Sequence, residues 1–257
     1  MTDAGPARNA AESQDEFYIG YSASMPPRLA RFVRSAVAVT GCGVAVVAVV
    51  VAAGHTRLEG GTFEFGHPQT FSGTIVERPY PTLRLDGADQ RSTSVLLVAP
   101  GKHGAAPLVA GMDGRHVALS GTRILRGALT MFEVEPASVA VDRTAAASAR
   151  TPVEPLRASV NLRGEVVDSK CFMGVMVPGD GKTHKDCATL CLRGGVPPAL
   201  FVRDRRDESA LILLAGSQSE AIGPRLSDFA GEAVEVTGSL DRSSEWPVVR
   251  VQSIRRR

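Results

Sequence analysis

The chain has almost no surplus of charge. Across 257 residues, 29 Lys and Arg stand against 27 Asp and Glu, a formal net charge of +2. Aromatic residues are scarce at 5%, and no block of basic residues is interleaved with them. A nucleic-acid surface needs basic side chains against phosphate and aromatic faces against bases, so no nucleic-acid partner is expected. Arg255-Arg256-Arg257 reads as a solvated tail. No C-x-x-C pair occurs, which removes the thioredoxin-type motif and C-x-x-C-H haem attachment, and no Rieske-type pair of motifs can be written. A Walker sequence, a Ser-His-Asp arrangement and paired carboxylates in a catalytic setting are also missing. The chain does not read as an enzyme.

Charge is absent altogether from Ser35 to Gly54. At 1.5 Å per residue this run is long enough to cross about 30 Å of hydrocarbon as a helix. Arg28, Arg31 and Arg34 precede it and only Arg57 follows closely, so the positive-inside rule puts the N-terminus in the cytoplasm. Val51-Ala52-Ala53 offers small residues for signal cleavage, but the 34-residue lead is too long for an ordinary signal peptide. The expected plan is a cytoplasmic tail over 1–34, a transmembrane helix over 35–54, and everything beyond in the periplasm of a bacterial inner membrane. Cys42 falls inside the span and reads as a packing residue. The lipid bilayer is thus one partner; Tyr18 and Tyr21 lie just before the span, as an interfacial anchor or a docking segment.

Past the span, short β-branched runs are broken by Gly and Pro, and the pattern occurs twice. Phe71-Ser-Gly-Thr-Ile-Val-Glu aligns with Leu162-Arg-Gly-Glu-Val-Val-Asp, and Ser94-Val-Leu-Leu-Val with Ala199-Leu-Phe-Val. Gly114-Arg-His-Val-Ala-Leu-Ser-Gly aligns with Gly231-Glu-Ala-Val-Glu-Val-Thr-Gly. The expected fold is mainly β: two small OB-like β-barrels over 60–141 and 158–257, joined by an Ala/Ser/Thr/Pro linker over 142–157. The second copy is longer, and the excess falls on the segment from Cys171 to Pro198, read as an insertion with a short helix.

That segment holds three of the four cysteines. A helix begun there places His184, Cys187 and Cys191 at i, i+3 and i+7, on one stripe. Thr183 is the expected N-cap, with Asp186 three residues on, and Gly194-Gly195 the stop. Cys171, His184, Cys187 and Cys191 make a Cys3His set suited to zinc or copper, with Asp168 and Asp186 as outer partners and Lys170 and Lys182 as further neighbours. Two alternatives stand beside metal binding. Cys171 could bridge to Cys187 or Cys191 as a structural disulfide, or Cys187 and Cys191 could act as a thiol-disulfide oxidoreductase, with Cys187 near a helix start beside His184 and Lys185. Met173 and Met176 read as loop packing. The first copy has no cysteine, and its Gly101-Lys-His-Gly104 only faintly echoes Gly181-Lys-Thr-His184.

The pattern D-x-x-C at Asp168 and Cys171, H-x-x-C-A-x-x-C from His184 to Cys191, then Gly194-Gly-Val-Pro, resembles a loosely defined group of exported bacterial proteins with OB-type small barrels. The resemblance covers about residues 160–254. It implies that Asp168, Cys171, His184, Cys187 and Cys191 belong to one motif; it implies no reaction and does not choose between metal and disulfide. The expectation is a membrane-anchored periplasmic accessory protein that binds metal and supports an inner-membrane protein complex, with a plain scaffold module as a further alternative.

Overall fold

The computed structural model describes residues 25–55, 60–86, 94–142, 157–203 and 209–257. Most of the N-terminal tail and of the 142–157 linker, with Tyr18 and Tyr21, lies outside the described residues. The chain divides into two compact units, Met1–Leu58 and Glu59–Arg257.

In the first unit, helix α1 spans Pro27–His55. It begins eight residues before the uncharged run. Proline at the first helical position costs no hydrogen bond, and Arg28, Arg31 and Arg34 are good helix formers, so nothing stops the helix from starting early. The most apolar 18-residue stretch within Pro27–Ala53 has a mean hydropathy of 2.5, and by length and composition the helix suits a membrane span or a signal sequence.

The second unit is mainly β. An eight-stranded sheet contains β1 (Thr62–Phe63), β2 (Gln69–Val76), β3 (Thr82–Leu85), β4 (Ser94–Ala99), β5 (His103–Gly104), β6 (His116–Arg126), β7 (Leu129–Val134) and β8 (Ala140–Val141). β2 pairs with β3 and β6, β3 with β4, and β7 with both β6 and, in parallel, β4. Next come β9 (Arg157–Asp168), helix α2 (Lys185–Arg193), β10 (Pro198–Arg203), β11 (Ser209–Ala215), the single helical turn α3 (Gly223–Leu226), β12 (Ala233–Asp241) and β13 (Val248–Arg256). These strands close a five-stranded barrel in the order β10-β11-β13-β12-β9, with β11 parallel to β13.

The pairings revise one alignment made from sequence. β4 is antiparallel to β3 and parallel to β7, the position that β11, not β10, holds in the barrel. Both are short apolar runs, and a continuous apolar strand carries no marker of its place in the order. The glycine landmarks are explained by crowding. A Cβ on Gly73 would sit 2.1 Å from Arg84 O, and one on Gly164 2.4 Å from Phe201 O. Each marks a place where the neighbouring backbone leaves no room for a side chain.

Alternation sets the cores. On β6, Val117, Leu119 and Gly121 are buried while the residues between them are half-exposed, the period-2 signature of a strand with one covered face. One core fills the first sheet around Phe132, and a second fills the barrel around Leu200 and Val236. A third is shared: Tyr80, Leu96 and Met131 of the first sheet pack with Phe172, Leu213 and Trp246 of the barrel side. Tyr80 crosses this seam with its polar end. Its hydroxyl donates to Leu214 O at 2.6 Å and accepts the Ile222 N–H at 3.3 Å. Burial pushes its ionisation well above the usual tyrosine value, so it stays a neutral donor.

Tyr80→Phe keeps the ring and strands two buried backbone groups, Leu214 C=O and Ile222 N–H. The expected cost is about 1–3 kcal/mol, read by urea unfolding of the full chain in detergent with the single tryptophan, buried Trp246, as the fluorescence probe.

Candidate metal centre

The centre is built on the connection from β9 to β10, residues 169–197, whose counterpart between β2 and β3 is only 77–81. β9 ends at Asp168, which is fully buried. Its Oδ1 accepts the Cys171 N–H at 2.8 Å, a carboxylate capping a helical turn three residues on. That turn carries the buried Cys171 and closes where Gly174 adopts a φ of +139°, a value L side chains avoid. Oδ2 of the same Asp168 meets His184 Nε2 at 3.0 Å. One buried carboxylate therefore fixes both the first cysteine and the histidine.

Helix α2 supplies the other two sulfurs. It starts at Lys185, one short turn after residues Lys182–His184, and His184 takes the capping position without a side-chain bond. Thr183 is not the N-cap: the chain is already coiled as a 3₁₀ turn there, and the His184 ring is engaged by Asp168. The stop is where sequence places it. Gly195 adopts a φ of +88°, its N–H bonds Leu192 O at 3.2 Å, and Val196 N–H bonds Cys191 O at 3.0 Å, the left-handed ending that glycine permits.

Cys171 Sγ lies 3.9 Å from Cys187 Sγ and 4.0 Å from Cys191 Sγ. These distances exceed the roughly 2.05 Å of a disulfide, and all three cysteines are free thiols. The three sulfurs form one candidate ligand group; Asp168, Cys171 and His184 form another, and in each group the ligand atoms lie within 4.8 Å of one another. The expected ligands thus fall into two triads that share Cys171. Each could hold a metal ion. Asp186 is exposed in the first turn of α2, where its charge complements the helix N-terminus. Lys182 pairs at the surface with Glu232 at 3.9 Å. Met173 is buried in the shared core and Met176 is exposed.

Two lysines take part in ways not read from sequence. Lys102, in the turn between β4 and β5, places its Nζ 2.7 Å from Cys187 Sγ and 4.0 Å from Cys191 Sγ. The first sheet, which has no cysteine, therefore contributes a cation to the sulfur cluster. Lys170 is 1% exposed and points away from the sulfurs. It donates to Ala99 O at 2.8 Å and Gly101 O at 2.7 Å and pairs with Glu133. It grips the very turn that presents Lys102. On the far side of the cluster, Gly104 N–H bonds Gly194 O at 3.0 Å, and a Cβ on Gly194 would lie 1.9 Å from Lys102 O. The signal available in sequence was the glycine on either side of Lys102-His103, opposite Gly194-Gly195; nothing in the spacing tied the two together.

The charges are distributed accordingly. The bond to Cys187 raises the Lys102 ammonium above the usual lysine value. Within the Cys171–Cys191 pair, Cys171 is the protonated donor: the bond to Cys191, then burial, then the Asp168 charge push its thiol up. Cys191 is lowered by accepting that bond. A soft cation at the sulfurs would replace this thiol proton. His116 also meets a carboxylate, Asp86 at 2.8 Å in the first sheet, and among the described residues it belongs to neither ligand group. Set against known proteins, the chain matches no family model, no curated protein and no solved structure.

Lys170→Met removes a buried cation and leaves Glu133 without this partner. The expected loss is about 3–5 kcal/mol of unfolding free energy, measured by urea unfolding of the full chain in detergent.

Proposed function

We propose that the protein is a membrane-anchored metal-binding protein that holds zinc or copper through Cys171, Cys187 and Cys191, with His184 as the fourth donor. The observation that carries this reading is the sulfur triad itself. A tetrahedral site with metal–sulfur bonds of about 2.3 Å sets its sulfurs about 3.8 Å apart, and the two distances from Cys171 are 3.9 and 4.0 Å. Thiolates with one imidazole suit zinc and Cu(I). The Asp168 contact to His184 Nε2 orients the ring beside Cys171, the carboxylate–histidine arrangement common behind metal ligands. Lys102 offsets part of the negative charge that three thiolates bring.

The matching pairings of β2, β3, β4, β6 and β7 with β9 to β13 support two OB-type barrels, the longer β9–β10 connection of the second carrying the metal ligands. The apolar helix α1, with arginines at its N-terminal end, supports an uncut anchor with its N-terminus in the cytoplasm of a bacterial inner membrane and the β unit in the periplasm. With no catalytic constellation beside the cluster among the described residues, the role is accessory, supporting an inner-membrane protein complex.

Metal analysis of the full chain purified in detergent is expected to find one zinc or copper per molecule. Cys171→Ser, Cys187→Ser and Cys191→Ser should each lose it, and Asp168→Asn should weaken binding by about 10–100-fold. Wild-type affinity in all four variants would sink the reading. Alkaline phosphatase fused after Arg257 should be active in cells, and an inactive but stably produced fusion would reverse the topology.

A further inference from the structure

Metal binding does not explain why the three sulfurs differ in exposure. Cys171 is 4% and Cys191 1% exposed, while Cys187 is only half-buried and lies beside the Lys102 ammonium. A cysteine that is not fully buried, with its sulfur next to a cation and within 4 Å of a second thiol, is the arrangement of an oxidation sensor with its resolving partner.

We propose that the centre is a peroxide-responsive switch, in which oxidation of Cys187 closes a Cys171–Cys187 disulfide and expels the metal; this rests on the metal reading above. The Cys187 thiolate attacks one oxygen of hydrogen peroxide, the O–O bond breaks and hydroxide departs beside the Lys102 ammonium, leaving a sulfenic acid. The Cys171 thiolate then attacks the Cys187 sulfur, the S–O bond breaks, a second hydroxide leaves and the disulfide forms. Two electrons pass from two thiolates to one peroxide, and two protons from solvent convert the hydroxides to water. The metal loses two of its three sulfurs.

Geometry selects the pair. Cys187 and Cys191 are four residues apart on α2, where the helix holds their Cβ atoms about 5–6 Å apart. A disulfide wants about 3.8 Å between Cβ atoms, so these two cannot bridge without breaking the helix. Cys171 stands on a separate turn, 3.9 Å away across the cluster. Cys191 is equally near Cys171 but buried from a dissolved oxidant.

The test uses the full chain in detergent, loaded with zinc and treated with stoichiometric hydrogen peroxide. Zinc release is followed with a chromogenic chelator, and the bridge is located by fragment-ion mass spectrometry. One zinc released per peroxide consumed, with Cys171 joined to Cys187 and reloading after dithiothreitol, is the expected result. Zinc retained under these conditions overturns the switch, as does release with Cys191 in the bridge or with sulfinic acid and no bridge. A chain that takes up neither zinc nor Cu(I) refutes the metal centre on its own, and with it the switch. Because the decisive mapping is done on the unaltered protein, the result does not depend on whether a cysteine variant folds.

Discussion

The arrangement around the sulfurs depends on one buried ammonium. Lys170 is all but excluded from water, and a charge in that position is tolerable only when its hydrogens all find acceptors. An ammonium has three donors, and three acceptors meet it: Ala99 O, Gly101 O and Glu133. All three belong to the first sheet, while Lys170 belongs to the turn that follows β9. Its neighbour in sequence is Cys171. The contact that joins the two β assemblies is therefore also the contact that seats the first sulfur and holds the turn bearing Lys102.

The other features of the seam reinforce this. Tyr80 ties the first sheet to β11 and to the approach to α3. Gly104 and Gly194 let two backbones touch where any side chain would block them. The seam is thus polar at its edges and apolar around Trp246 and Phe172, which gives it direction: hydrogen bonds set the register of one assembly on the other, and burial supplies the driving force. The three sulfurs come from one side of this seam and the Lys102 ammonium beside them from the other.

Much of the local construction was legible in the residues. The sequence marks Asp168 only as an outer partner of the cluster, and the structure adds that its carboxylate caps the turn that carries Cys171. Gly194-Gly195 marks the end of α2, because only glycine adopts its left-handed backbone cheaply. The recurring strand glycines are visible because crowding leaves a residue type behind. Less legible was the start of α2. Thr183 and Asp186 are good capping residues in isolation, but the His184–Asp168 contact brings the chain into a tight turn before the helix begins. The partner of β4 was misassigned for a related reason: apolar runs state that a strand is buried without stating beside what.

By itself the sequence determined an uncharged run of membrane-spanning length, a β-rich remainder with recurring glycines, and a segment in which His184, Asp168, Asp186 and three cysteines come close along the chain. Each is a matter of local spacing, where backbone geometry converts residue order directly into position. Only the tertiary structure decided that the ligands form two triads sharing Cys171, that Lys170 faces away from them, and that Lys102 faces in. Lys102 and Cys187 are 85 residues apart and Lys170 and Ala99 are 71. No periodicity reaches across such intervals; those contacts exist because a buried charge must find its acceptors, and the only fold that supplies them brings the two sheets together.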